Sequence, residues 1–179
     1  SGLTEASSRL GSLRADGLPH RERVRAWVLK RRGTLPDRIA ALAGRQGKLA
    51  EETSKTDPAA RKELEQRAGD QEELERDARE VARSASREAD RLSFARAASE
   101  TLVARLSARA RDLDNVARSL SRIASGDMRD ARSALSHAAG LDGDERDASL
   151  KLAAVKQEAA RKALAGLSEG LRAVEGHEA

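Results

Sequence analysis

The stretch Leu141-Asp142-Gly143-Asp144-Glu145-Arg146-Asp147 gathers the acidic side chains and the glycine that a calcium loop uses. Such a loop needs acids at its first, third and fifth positions, glycine at the sixth and glutamate at the twelfth. Counted from Asp142, the fifth position is Arg146, the sixth Asp147 and the twelfth Ala153, so the pattern fails at three places. The acids read instead as a helix start, where negative charge complements the positive end of the peptide dipoles. His20, His137 and His177 are too far apart in sequence for the short ligand spacings of a zinc site. No G-x-S-x-G, phosphate-cradling glycine loop or H-E-x-x-H is present. The carboxylate pairs Glu51–Glu52 and Glu72–Glu73 sit among lysines and arginines at helical spacings. Those spacings suit surface ion pairs better than acid–base work in a dry pocket. Pockets are usually lined by apolar and aromatic side chains, and Trp27 and Phe94 are the only aromatics here. The sequence therefore predicts no catalytic residue, no cofactor, no metal and no small-molecule substrate.

The segment His20–Gly33 is the other candidate for chemistry. Residues 1–34 carry eight Lys/Arg against three acids, a net of +5, while the rest of the chain nets −1. A local basic excess is the form an electrostatic footprint takes. On a helix, Val24, Trp27, Val28 and Arg31 share one face, and Arg21, Arg25 and Arg32 share another. Arg21, Arg23, Arg25, Trp27, Arg31 and Arg32 are thus the residues to meet a protein partner, a phosphate backbone or an anionic lipid surface. The commoner fate of such a helix is structural, with Trp27 packed and the arginines in solvent. No aromatic platform or binding motif supports nucleic acid, and the apolar face is short for a membrane. Mixed-sign charge from Arg76 to Arg122 reads as a solvated, ion-paired helix face.

The elements that would position these residues follow from composition. Leu, Ile, Val and Phe make up only 32 of 179 residues, and alanine fills the gap. Alanine is the best helix former, but it cannot fill a wide core; a narrow seam between helices needs far less bulk. There is no cysteine, which excludes disulfides and thiol chemistry. No stretch approaches the roughly 20 apolar residues that cross a bilayer. Ser1–Gly2 reads as a remnant of cloning, so the chain is expected to be a soluble piece of a longer protein, its compartment unknown. Arginine outnumbers lysine 27 to 7, which suggests a high-GC bacterial source.

Six helices are predicted: about 4–15, 19–32, 35–54, 58–124, 127–139 and 144–174. The fourth shows no breaker until Ser125–Gly126 and carries a heptad seam from Leu64 to Leu120, weakest from Ala85 to Ser99. Continuous, it would reach roughly 100 Å. Short loops make antiparallel neighbours, so helix three would fold back on its first part and helices five and six on its second. A break near 84–86, giving a compact bundle, is the alternative.

Ala43-Gly44-Arg45-Gln46-Gly47-Lys48-Leu49 and Ala68-Gly69-Asp70-Gln71-Glu72-Glu73-Leu74 share A-G-x-Q-x-x-L at a spacing of 25. Both glutamines fall in the apolar seam, where a polar residue costs stability but fixes register and partner choice. Gln157 falls in the seam of the last helix. The segments Leu42–Thr53 and Gln71–Leu74 resemble the repeated Q-x-x-L-A helical segments of large bacterial coiled-coil proteins, many of them envelope-associated or scaffold proteins. The resemblance implies helical architecture and no activity.

The expectation is an all-α, elongated antiparallel helical bundle or coiled coil around one long central helix (about 58–124). It has a basic N-terminal helical segment, 1–34, and a single bundle module, 35–179. The expected function is a non-catalytic scaffold, spacer or protein–protein interaction module of a larger bacterial assembly, with self-association, such as a homodimer, or a protein partner. The alternative is a nucleic-acid or anionic-membrane adaptor acting through 18–33.

Overall fold

A computed structural model describes residues 33–94 and 100–177. The chain divides into two units, Ser1–Thr34 and Leu35–Ala179. In the second unit every described element is helical: α1 (Leu35–Lys55), α2 (Arg61–Ser93), α3 (Glu100–Ile123), a π turn (Ala124–Met128), α4 (Arg129–Gly140) and α5 (Gly143–His177). Ile123 and Arg129, on either side of the π turn, keep helical dihedrals. So α3, the π turn and α4 make one rod, and the unit is a four-helix bundle.

Side-chain pairs fix the directions. Arg38 Nη1 donates to Ser84 Oγ (3.2 Å) and Arg67 Nη1 to Glu52 Oε2 (2.7 Å), so α1 and α2 run antiparallel. Ser168 Oγ donates to the Pro36 carbonyl (2.9 Å) and Arg172 pairs with Asp37 (3.0 Å), which sets α5 antiparallel to α1. The α3–α4 rod returns along α2: Leu74 and Ala78 share a core with Val116 and Leu120, and Leu64 and Ala68 share one with Leu135 and Ala138.

One uninterrupted helix over 58–124 is therefore not what forms. It would hold Leu74 and Leu120 far apart, whereas the two are packed together. α2 ends at Ser93, and its C-cap Phe94 sits at φ −94°, ψ −2° with its N–H still bonded to the Asp90 carbonyl (3.1 Å). Nor is the break at 84–86, because Ala85 and Ala89 are still buried in α2. Folding back buries Leu113, Val116 and Leu120, each worth about 1.5–3 kcal/mol removed from water. The weak heptads beyond Ala85 offered a straight helix little in exchange.

The turn expected at Ser125–Asp127 is likewise absent. The buried positions Val116, Leu120, Ala124 and Met128 are spaced by four three times running. At 3.6 residues per turn each such step drifts the seam by roughly 40°. A π turn takes in the extra residue and returns the seam to the core without a break.

α2 starts at Arg61, three residues later than the Pro58 start expected from Asp57 as cap. Asp57 Oδ1 accepts the Ala59 N–H (2.9 Å), and its carbonyl accepts the Ala60 N–H (2.9 Å). It shapes the turn and leaves the helix uncapped by any side chain.

Candidate functional site

The repeat A-G-x-Q-x-x-L becomes a contact. Because α1 and α2 are antiparallel, equal spacing sets Ala43 level with Leu74, Gln46 level with Gln71, and Leu49 level with Ala68. All six are buried, so bulky and small residues alternate across the seam. Gln46 Nε2 donates to Gln71 Oε1 (2.8 Å), and Gln71 Nε2 donates back to Gln46 Oε1 (3.1 Å). Gln157 of α5 adds a third amide, its Nε2 reaching the same Gln71 Oε1 at 3.2 Å. Each of the three is fully buried, while Gln66, the only other glutamine, is exposed. Gln157 Oε1 has no hydrogen-bond partner among the described residues. Neutral amides do not ionise near neutral pH, so the layer offers no acid or base. This layer aligns three helices, and a slip of either partner would strand amides in an apolar interior at about 1–3 kcal/mol each.

One turn along α2, the Glu75 carboxylate is 2% exposed. It is held by Arg79 from its own helix and by Arg132 of α4 (3.5 Å). Asp77 is bound by Arg45 of α1. These acids are committed to guanidinium partners across helix seams. A shallow groove between α1 and α2 is lined by Arg45, Lys48, Glu52, Asp70 and Glu73 together with Leu49 and Leu74. Arg45 pairs across it with Glu73 (3.6 Å).

Surface ion pairs shift several titrating groups. The Lys55 ammonium hydrogen-bonded to Glu51 lowers that carboxyl's pKa. Arg161 lowers that of Glu158 in the same way and is itself raised by it. Hydrogen bonds to Asp127 (2.9 Å) and then Asp130 raise Lys156 above its ordinary value.

The stretch 141–147 turns out to be organised by its arginine. Arg146 is 7% exposed. Its Nε donates to the Leu141 carbonyl (2.7 Å), and its Nη1 to the Pro58 carbonyl (2.8 Å) 88 residues away in sequence. It thus ties the α1–α2 turn to the α4–α5 turn. Gly143 opens α5 at φ +56°, a conformation L side chains avoid. No cluster of three His, Asp or Glu placed to hold a metal occurs among the described residues. No described helix is long and apolar enough to cross a membrane. His137 is exposed near the end of α4.

Arg21, Arg23, Arg25, Trp27, Arg31 and Arg32 lie outside the described residues. What the sequence reading passed over is the outer side of α5. That helix buries Leu150, Leu164 and Leu171 but leaves Leu152 49% and Val155 64% exposed. The signal was in the seam itself: placing Leu150, Ala153 and Gln157 inward puts Leu152 and Val155 outward. Comparison with models of known families, with curated proteins and with solved structures returned no match.

Proposed function

We propose that this chain is a non-catalytic scaffold or spacer module of a larger bacterial assembly, working by offering helix surfaces to protein partners. The observation that carries the reading is the apolar outer face of α5. Apolar side chains left in water gain free energy when a partner covers them, at about 25 cal/mol per Å², and grouped ones mark interaction sites. The interior supports the same reading. Its amides bond one another, which suits a part that must hold a fixed register under load. Resemblance of Leu42–Thr53 to scaffold-type coiled-coil segments points the same way.

The test is cross-linking in the source cells followed by purification of the tagged chain. The expected result is a stoichiometric protein neighbour linked through the outer face of α5 and lost on Leu152→Glu with Val155→Glu. The competing reading, an adaptor for nucleic acid or anionic membrane, rests on the net +5 of residues 1–34. It predicts salt-sensitive binding of duplex DNA or anionic vesicles that disappears when Arg21, Arg23, Arg25, Arg31 and Arg32 are replaced together. That result, without a protein neighbour, would replace the scaffold reading.

A further inference from the structure

The outer face of α5 has an internal order. At 3.6 residues per turn, Leu152, Val155, Ala159, Ala163, Gly166 and Gly170 form one stripe about 80° wide. Bulk lies at its N-terminal end and glycine at its C-terminal end. A side chain at Gly166 or Gly170 would meet nothing within 4 Å, and neither has positive φ. Among the described residues, nothing asks for glycine at either position. Each nonetheless costs about 1 kcal/mol of helix stability relative to alanine. Gly44 and Gly69 are equally open, but Gly69 is the one glycine of α2, and Gly47, the other glycine of α1, faces the Arg161 side chain.

The charges bordering the stripe are ordered too. Lys151, Glu158, Lys162 and Glu169 all fall on one flank, alternating in sign. Lys151 and Glu169 form no ion pair among the described residues, while Glu158 reaches Arg161 and Lys162 of its own helix. Turned end for end about a point between Ala160 and Arg161, the helix complements itself. Val155 comes level with the partner's Gly166, and Leu152 and Ala159 come within one residue, about 1.5 Å, of the partner's Gly170 and the partner's Ala163. In antiparallel helix pairs each flank meets the same flank of the partner. Lys151 then lies beside the partner's Glu169 and Glu158 beside the partner's Lys162, and the two-fold axis repeats both pairs. A parallel pairing would set this flank against Ser149, Lys156 and Leu167, which offer no such match. The A-G-x-Q-x-x-L repeat pairs in the same sense inside the bundle, large residue against small across antiparallel helices.

The geometry points to a homodimer in which the outer faces of two α5 helices pack antiparallel about Ala160–Arg161, glycines receiving the partner's leucine and valine. This rests on the interaction-module reading and names its partner as a second copy. The test uses the full chain in sedimentation equilibrium, with helicity and melting checked by circular dichroism. The native chain is expected at twice its 19.2 kDa mass. Lys151→Glu with Lys162→Glu makes the flank wholly acidic, and Glu158→Lys with Glu169→Lys makes it wholly basic. Each variant alone is expected to dimerise more weakly by more than about tenfold, and their equimolar mixture to recover the dimer.

Orientation is read by cysteines in this cysteine-free chain. Ala159→Cys should cross-link between copies, because the two positions sit only about 5 Å apart along the axis. Leu152→Cys should not, its copies being about 25 Å apart along the axis. A monomeric native chain, homodimers unchanged by both charge reversals, or self-linking at position 152 would overturn the pairing. A monomer that keeps its cellular protein neighbour through Val155 would overturn this pairing alone and leave the interaction-module reading standing.

Discussion

Gln71 carries more of the interior's specificity than any leucine around it, since two other amides depend on its single side-chain oxygen. Gln71→Leu should destabilise the chain by about 2–4 kcal/mol in urea unfolding, because two buried donors lose their acceptor. Changing Gln46, Gln71 and Gln157 together to leucine should recover at least half of that loss, since no amide is then left unpaired. A triple variant weaker than the single would contradict the role assigned to the layer. These glutamines were legible in the sequence, because heptad spacing alone places all three in apolar seams. Their meeting was not, since it depends on which helices become neighbours. Glu75 and Arg132 were hidden for a different reason. In a chain with so many ion-pair spacings, nothing local distinguishes the carboxylate that ends up 2% exposed.

The helices expected at 4–15 and 19–32 lie outside the described residues; among the described residues helix existence was read well and helix ends less so. α1 and α5 lie within a few residues of expectation. The break after Ser93 was missed because no proline or glycine marks it, and the decision rests on what Leu113, Val116 and Leu120 gain by meeting α2. Conversely, Ser125–Gly126 looked like a breaker and is absorbed into a π turn, because Ala124 and Met128 on either side are both fully buried. At the α4–α5 turn, Arg146→Met keeps the aliphatic stem but removes the charge-assisted bonds to the Leu141 and Pro58 carbonyls. It should cost about 2–3 kcal/mol in urea unfolding. Gly143→Ala should cost a further amount of about 1 kcal/mol through its left-handed backbone. An Arg146→Met protein as stable as the parent would show that the two turns are held together by packing alone.

At the scale of the whole bundle, scarcity of bulky side chains is the governing fact. Alanine lets helices approach closely, so a seam of Ala78, Ala82, Ala85 and Ala124 with a few leucines is enough to bury a continuous interior. That argument predicted helices side by side, and it holds; it could not say where the chain reverses. The return of α3 along α2 decides everything above it, from the glutamine layer to the outward side of α5. Spin labels at Arg76→Cys and Arg118→Cys, both exposed sites, read it directly by pulsed dipolar spectroscopy. The bundle places the two positions on adjacent antiparallel helices, and the interspin distance should fall within about 25 Å. A distance of roughly 60 Å, the rise of an unbroken helix between them, would contradict the fold.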